Sequence, residues 1–176
     1  GCTLYAQKAG TPDTSFNKTG IKLFDVVPNM SDASYAVAEQ PDGKVLVAGA
    51  ANMGGDQKAF VARFHANGTF DSSFHYDGMV VIDMSNENFD KYIDIAIRPN
   101  GNILVVGETV QSGNLNIMIT EFRPDGSENP NFGVLGFTRM DLGEDANEVV
   151  KGIHLYDNGK CLVYGMVMGA NNLQYS

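Results

Sequence analysis

The residues best suited to chemistry are acids that return at a fixed interval. Asp32, Asp90 and Glu148 are each separated by 58 positions. Each precedes a short apolar run, so in a chain folded about an axis the three carboxylates could form a ring. Oxygen atoms in such a ring are ligands that Ca²⁺ takes. The competing interpretation is that each carboxylate caps backbone N–H groups in its own segment.

Polar residues that are not repeated form the second candidate set. At one position of the 58-residue interval the chain has Gln40, then Arg98, then Tyr156. A residue that every repeat keeps is better explained by the fold, so a position where all three differ is a better candidate for ligand binding. The same predicted strands carry three more residues of this kind, Asp94, Lys151 and His154. The alternative for each is a solvated or locally hydrogen-bonded side chain.

Motifs for catalysis are missing from the sequence. It contains no G-x-S-x-G nucleophile turn, no H-E-x-x-H zinc motif and no G-x-x-x-x-G-K-[ST] phosphate loop. Its histidines, His65, His75 and His154, are scattered along the chain. We therefore predict no catalytic residue.

An internal repeat of 58 residues supplies the elements that position these side chains. Phenylalanine, glycine and aspartate recur together, and no gap is needed to align them. The coinciding sets include Phe16, Phe74 and Phe132; Gly20, Gly78 and Gly136; Asp25, Asp83 and Asp141; and Gly49, Gly107 and Gly165. Self-similarity of this kind predicts an array of similar structural units.

Each unit has the pattern of four short strands. In the first unit, residues 34–40 and 44–49 form a β-hairpin around Pro41-Asp42-Gly43, where proline sets φ and glycine accepts a positive φ. A third strand at 59–64 follows, and a fourth strand, at 79–84, comes after the next turn and lies in the following 58-residue interval. No helical period is sustained along the chain. The sequence predicts an all-β, β-propeller-like array of about three four-stranded antiparallel blades.

The repeat also divides the chain. Residues 1–10 are an irregular N-terminus or a signal remnant, and 11–176 form a single repeat domain with units at about 11–68, 69–126 and 127–176. The last blade is incomplete, because the interval places its next phenylalanine and glycine beyond Ser176. Residues 21–26 have the pattern of a fourth strand. Either the array continues in a longer chain, or two chains form a homodimer that completes one ring.

Three segments of the first unit resemble the delta-60 repeat family. They are QPDGKVLVAG at 40–49, FVARFHANG at 60–68 and TFDSSF at 69–74. The resemblance extends over about residues 11–176, although Asp157-Asn158-Gly159 lacks the proline and Glu121 replaces Arg63. These repeats occur in tandem in bacterial exported proteins and look like β-propeller blades. The resemblance therefore implies that fold and export, and it implies no activity.

Charge argues against two classes of partner. With 21 acidic and 12 basic residues the formal charge is −9, which disfavours nucleic acid and an anionic membrane surface. No apolar run approaches about 20 residues, so no membrane span is predicted.

The two cysteines point to export and to packing. The Gly1-Cys2 pair is compatible with the end of a secretory or lipoprotein signal, which predicts a periplasmic, extracellular or lipid-anchored surface location. Cys161 takes the strand position of Val45 and Ile103, which predicts a thiol packed as a small apolar side chain.

The leading functional prediction is a non-catalytic exported module that acts as a binding or spacer domain for an extracellular protein or a glycan. Loop aromatics would favour the glycan if exposed, and the candidates are Phe70, Tyr76 and Phe89. One alternative is a metal-dependent propeller hydrolase or lyase with its site in the central channel. Another is a fragment of a longer propeller without independent function. No cofactor is predicted apart from Ca²⁺ at the recurring carboxylates.

Overall fold

The computed structural model describes residues 10–85, 87–143 and 146–169, and the backbone of residues 174 and 175. Within these ranges the chain forms strands and no helix. The first sheet contains β1 (Asp32–Glu39), β2 (Val45–Asn52), β3 (Gln57–Phe64) and β4 (Met79–Ile82). The second contains β5 (Asp90–Ile97), β6 (Ile103–Gln111), β7 (Asn114–Phe122) and β8 (Phe137–Met140). The third contains β9 (Asn147–Leu155), β10 (Cys161–Met168) and β11 (Gln174–Tyr175).

Consecutive strands of each sheet pair antiparallel, and the first two sheets take three strands from one repeat unit and the fourth strand from the start of the next unit. The second and third sheets follow the same order. The first strands of the three sheets lie side by side, since β5 contacts both β1 and β9. This arrangement confirms the predicted all-β fold of propeller-like blades. The signal predicted from Gly1 and Cys2 lies outside the described residues.

The turn that closes the first hairpin is the same in all three units. Gly43, Gly101 and Gly159 have φ values of 79°, 84° and 82°. Each glycine N–H donates to the carbonyl of the residue three positions before it, which is Gln40, Arg98 or Tyr156. The glycine therefore fixes the direction of the chain beside each of the three non-repeated polar residues.

Apolar side chains between neighbouring sheets form the core. Tyr92 and Ile95 of β5 pack with Leu46 and Val61 of the first sheet, in a cluster that also includes Phe74. A second cluster joins the second and third sheets through residues such as Val106 and Val150. Cys161 is half-buried against this second cluster, as expected for a packed thiol. Each blade thus buries one face of its neighbour.

Residues 21–26 correct the prediction of an N-terminal fourth strand, because they are not in a sheet. Phe24 instead packs edge-on against Phe60, Phe64 and Phe70. The later copies of this segment, β4 and β8, each pair with a third strand of their own sheet. Residues 21–26 have no such strand beside them among the described residues, so they keep the packing position without the pairing.

Candidate functional site

The hairpin turns of the three units surround one cavity. Residues 39–41, 97–99, 101 and 155–157 line a volume of about 510 Å³, which we call the turn cavity. The cavity lies where β1, β5 and β9 end. Because these are the first strands of the three sheets, residues at equivalent positions of the repeat meet there. Gln40, Arg98 and Tyr156, the three aligned polar residues of the sequence prediction, all line this cavity. Its volume is in the range of small-ligand sites.

Gln40 is the one buried residue of the lining, with 8% of its surface exposed. Its backbone N–H donates to the carbonyl of Lys44, which keeps the residue in the turn. Its side-chain Oε1 accepts no hydrogen bond from any residue that the structure describes. A buried acceptor without a donor costs free energy.

Arg98 is held by two neighbours. Its Nε donates to Glu121 Oε2 at 2.7 Å, and its Nη1 donates to the Gly159 carbonyl of the next unit. Burial favours the neutral form of Glu121, but hydrogen bonds from Asn129, Asn102 and Arg98 hold the pKa of that carboxyl below its ordinary value. The positive charge of Arg98 is therefore paired with the negative charge of Glu121. The replacement of Arg63 by Glu121 in the repeat supplies the partner of Arg98.

Tyr156 closes the cavity on the side of the third unit. It is 45% exposed, and its ring meets the His154 ring edge-on at a centroid distance of 4.8 Å. His154 is thus beside the cavity without being part of its lining. The prolines Pro41 and Pro99 add flat apolar surface. The cavity combines apolar walls with a few polar groups, the composition of a binding site.

The other two predicted ligand residues lie elsewhere. Asp94 Oδ2 accepts the backbone N–H of Ile153 at 2.9 Å, and Oδ1 accepts that of Ile95. Asp94 therefore joins the second sheet to the third. Lys151 is exposed and lies at the irregularity of β9, where the register with β10 shifts. Neither residue lines the turn cavity.

The three recurring acids cap backbone groups. Asp32 Oδ2 accepts the N–H of Val26 at 2.7 Å, and Glu148 Oε1 accepts that of Leu142 at 3.4 Å. Asp90 Oδ2 accepts N–H groups from residues 84 and 85. Each acid thus anchors the segment that precedes its own first strand, which is the capping arrangement.

Burial raises the pKa of Asp90 and of Glu148. One oxygen of each acid, Oδ1 in Asp32 and Asp90 and Oε2 in Glu148, accepts no hydrogen bond from the part of the chain described. In that same part no group of three or more histidine, cysteine, aspartate or glutamate side chains could hold a metal ion. The described residues therefore do not form the carboxylate ring.

Sequence reasoning missed two acids of the turn cavity, Glu39 and Asp157. Both are exposed and line it beside Gln40 and Tyr156. They occupy different positions of the repeat, so no single aligned column contains both. Their adjacency to the three aligned turns was the available signal. Among the loop aromatics, Tyr76 is 92% exposed, whereas Phe70 packs against Phe64.

Comparison with known proteins supports the class that the fold indicates. Residues 40–74 match a family described as "Domain of unknown function (DUF5122) beta-propeller". The matched segment begins at Gln40 of the turn cavity and runs through β2 and β3 to Phe74. No curated protein matches the chain. No helix within the described ranges is long and apolar enough to cross a membrane. The chain is an all-β protein of propeller-like blades, and the match supports a β-propeller repeat family.

Proposed function

We propose that the chain is a non-catalytic, exported binding module of the delta-60 type whose ligand site is the turn cavity. One observation carries this proposal: three units place three different polar residues, Gln40, Arg98 and Tyr156, around one cavity. If this position had a purely structural role, the same residue type would fill it in each unit. The partner class is an extracellular protein or a glycan, and a spacer role follows if no ligand binds.

The test is a ligand screen followed by two-dimensional NMR of the ¹⁵N-labelled chain. Simple sugars, short peptides and small amines are added one at a time. We expect the resonances that shift to belong to the turn cavity, including the backbone amides of Arg98 and Tyr156 and the side-chain amide of Gln40. Shifts confined to any other surface would overturn the assignment of the site.

Titration with Ca²⁺ alone tests the alternative of a metal-dependent hydrolase or lyase. Micromolar binding that shifts the amides of Asp32, Asp90 and Glu148 would support that alternative. Loss of Ca²⁺ binding in the Asp32→Asn, Asp90→Asn, Glu148→Asn triple variant, with the fold retained, would show that these carboxylates bind the metal. Unfolding of the triple variant would instead show that the three acids act as caps.

The proposal includes assembly with a second copy. The third sheet has three strands in the described part of the chain, and residues 21–26 hold a fourth-strand position without pairing. A second copy brings these two incomplete parts together twice, as a ring of two halves would.

Export rests on the Gly1-Cys2 pair and the family resemblance, and cell fractionation with antibody detection tests it.

A further inference from the structure

We infer that the turn cavity binds a positively charged side chain of a partner protein, in the first instance a lysine ammonium group. This inference rests on the proposed function and chooses between its two partner classes. The observation that starts it is Gln40, which is buried and lines the cavity while its Oε1 accepts no hydrogen bond from the described residues. A rotation of the Gln40 side chain would turn this shielded acceptor toward the cavity, where a ligand that donates a hydrogen bond, as ammonium groups do, would satisfy it.

The charge of the residues that line the cavity favours a cationic hydrogen-bond donor over a neutral one. Glu39 and Asp157 line the cavity, are exposed, and form no ion pair with any described residue. Among the described residues Arg98 is the only cation in the lining, and it is already paired with Glu121 at 2.7 Å. Two carboxylates therefore remain without a counter-charge. The chain as a whole carries a formal charge of −9, which attracts basic partners over a longer range.

The apolar walls suit the rest of a lysine side chain. Its methylene stem can pack along Pro41, Pro99 and Leu155 while the ammonium lies beside the carboxylates of Glu39 and Asp157. Tyr156 lines the cavity and is 45% exposed, and an aromatic ring attracts a cation that lies over its face. A neutral sugar can stack on the ring and donate hydroxyl hydrogen bonds to the two carboxylates, but it leaves both negative charges without a counter-charge. An acidic glycan or peptide would be repelled by them.

The experiment uses three probes on the whole chain in 150 mM salt. They are a five-residue peptide with two lysines, the same peptide with glutamates in place of the lysines, and cellotetraose as a neutral glycan. NMR titration follows the side-chain amide of Gln40 and the backbone amides of Arg98 and Tyr156. We expect the lysine peptide to shift all three and to bind at least tenfold more tightly than either other probe.

Variants separate the site from general charge attraction. The double variant Glu39→Gln, Asp157→Asn should weaken binding of the lysine peptide about tenfold, and both positions are exposed, so folding is preserved. Gln40→Leu removes the buried acceptor and should weaken binding by a similar factor. The matched control Asp25→Asn, Asp77→Asn makes the same charge change at exposed positions that do not line the cavity. It should leave the affinity within about twofold.

The outcomes are distinct. If cellotetraose or the glutamate peptide shifts the cavity resonances and the lysine peptide does not, the inference is wrong while the proposed binding site stands. If none of the probes shifts them, the inference is overturned, and the wider screen then decides the proposed function. If the control variant weakens binding as much as the cavity variant, attraction is spread over the surface and the cavity is not the site.

Discussion

Asp71 lies at the centre of a buried charge cluster in the first blade. It is 2% exposed, with Arg63 Nε at 2.8 Å and Lys44 Nζ at 3.1 Å from Oδ2. Burial opposes its ionisation, but hydrogen bonds from Ser73 and these two cations hold the pKa of Asp71 well below its ordinary value. Asp71→Asn leaves the Arg63 charge uncompensated, so we expect a loss of about 3 kcal/mol at pH 7 by urea unfolding.

Asp13 provides the matched control, because it occupies the position of Asp71 one repeat earlier. It accepts the same two hydrogen bonds from Ser15 but is exposed. Asp13→Asn should therefore change stability little. Since the folded pKa of Asp71 is lowered, its contribution is present above the ordinary value of 3.8 and is lost as pH falls below it. Equal losses in the two variants, or a loss that is as large at pH 2 as at pH 7, would contradict the buried cluster.

Asp90 predicts the opposite pH dependence. It is fully buried, and burial raises its pKa. The folded chain then holds this proton more tightly than the unfolded chain, so stability falls as pH rises from 3.8 through the folded pKa. In Asp90→Asn, whose amide oxygen can still accept the N–H groups of residues 84 and 85, this fall should disappear. Unfolding free energies between pH 3 and pH 7 check it, and a variant whose curve parallels the parent chain would refute it.

The turn cavity shows how far single residues could be predicted. Comparing the three units singled out Gln40, Arg98 and Tyr156, because their turns are equivalent and their types differ. The burial of Gln40 was not visible in the sequence, since its equivalents are less buried. Glu39 and Asp157 come from positions of the repeat that do not align, and the fold brings their carboxylates to the turn cavity. The partner of Arg98, Glu121, is likewise on another strand of the sheet.

At the scale of the strand, a glycine faces an irregularity in the first strand of each sheet. The pairing register shifts next to Gly49, Gly107 and Gly165. A Cβ on Gly107 would overlap the backbone carbonyl of Lys91, which belongs to the paired strand. A backbone atom cannot move aside as a side-chain end can. The same crowding repeats at Gly49 and Gly165.

Gly107→Ala should therefore destabilise the chain by about 1–3 kcal/mol, because overlap must be relieved by moving paired backbone. Gly143→Ala is the control, since its added Cβ would meet only Ala146 at an ordinary 3.6 Å. Its effect should stay within about 0.5 kcal/mol. Thermal unfolding of both variants measures the difference. Similar midpoints would show that the sheet absorbs the extra atom at no cost.

The elements themselves were largely predictable, and the exception is informative. The repeat, the turn residues and the alternation of short apolar runs indicated four strands per unit, and β4 and β8 form at the expected places. Residues 21–26 have the same pattern but no pairing. A strand needs a hydrogen-bonded neighbour, and local sequence does not show whether one is present. The apolar pattern of residues 21–26 reflects the packing of Phe24 and does not predict whether the segment pairs with another strand.

At the scale of the whole molecule, the first and third blades each leave a face uncovered. Val37 is 71% exposed, whereas Ile95, its equivalent in the second unit, is buried between two blades. Leu162 is 49% exposed, whereas Leu46 and Leu104 at the same position are fully buried. In the array, a neighbouring blade is what buries these positions. We propose that a second copy supplies this neighbouring blade, because each copy carries both faces.

Light scattering of the 19.0 kDa chain should therefore give about twice that mass at micromolar concentration. Val37→Lys and Leu162→Lys alter the two faces separately. Each alone should return the mass to that of one chain, because both interfaces of a closed pair join a first-unit face to a third-unit face. Tyr76→Lys changes an aromatic that is 92% exposed and lies on neither face, so the pair should persist. A monomer at all concentrations would show that another blade of different origin covers these faces. A mass that grows without limit would show open pairing of edges in place of a ring.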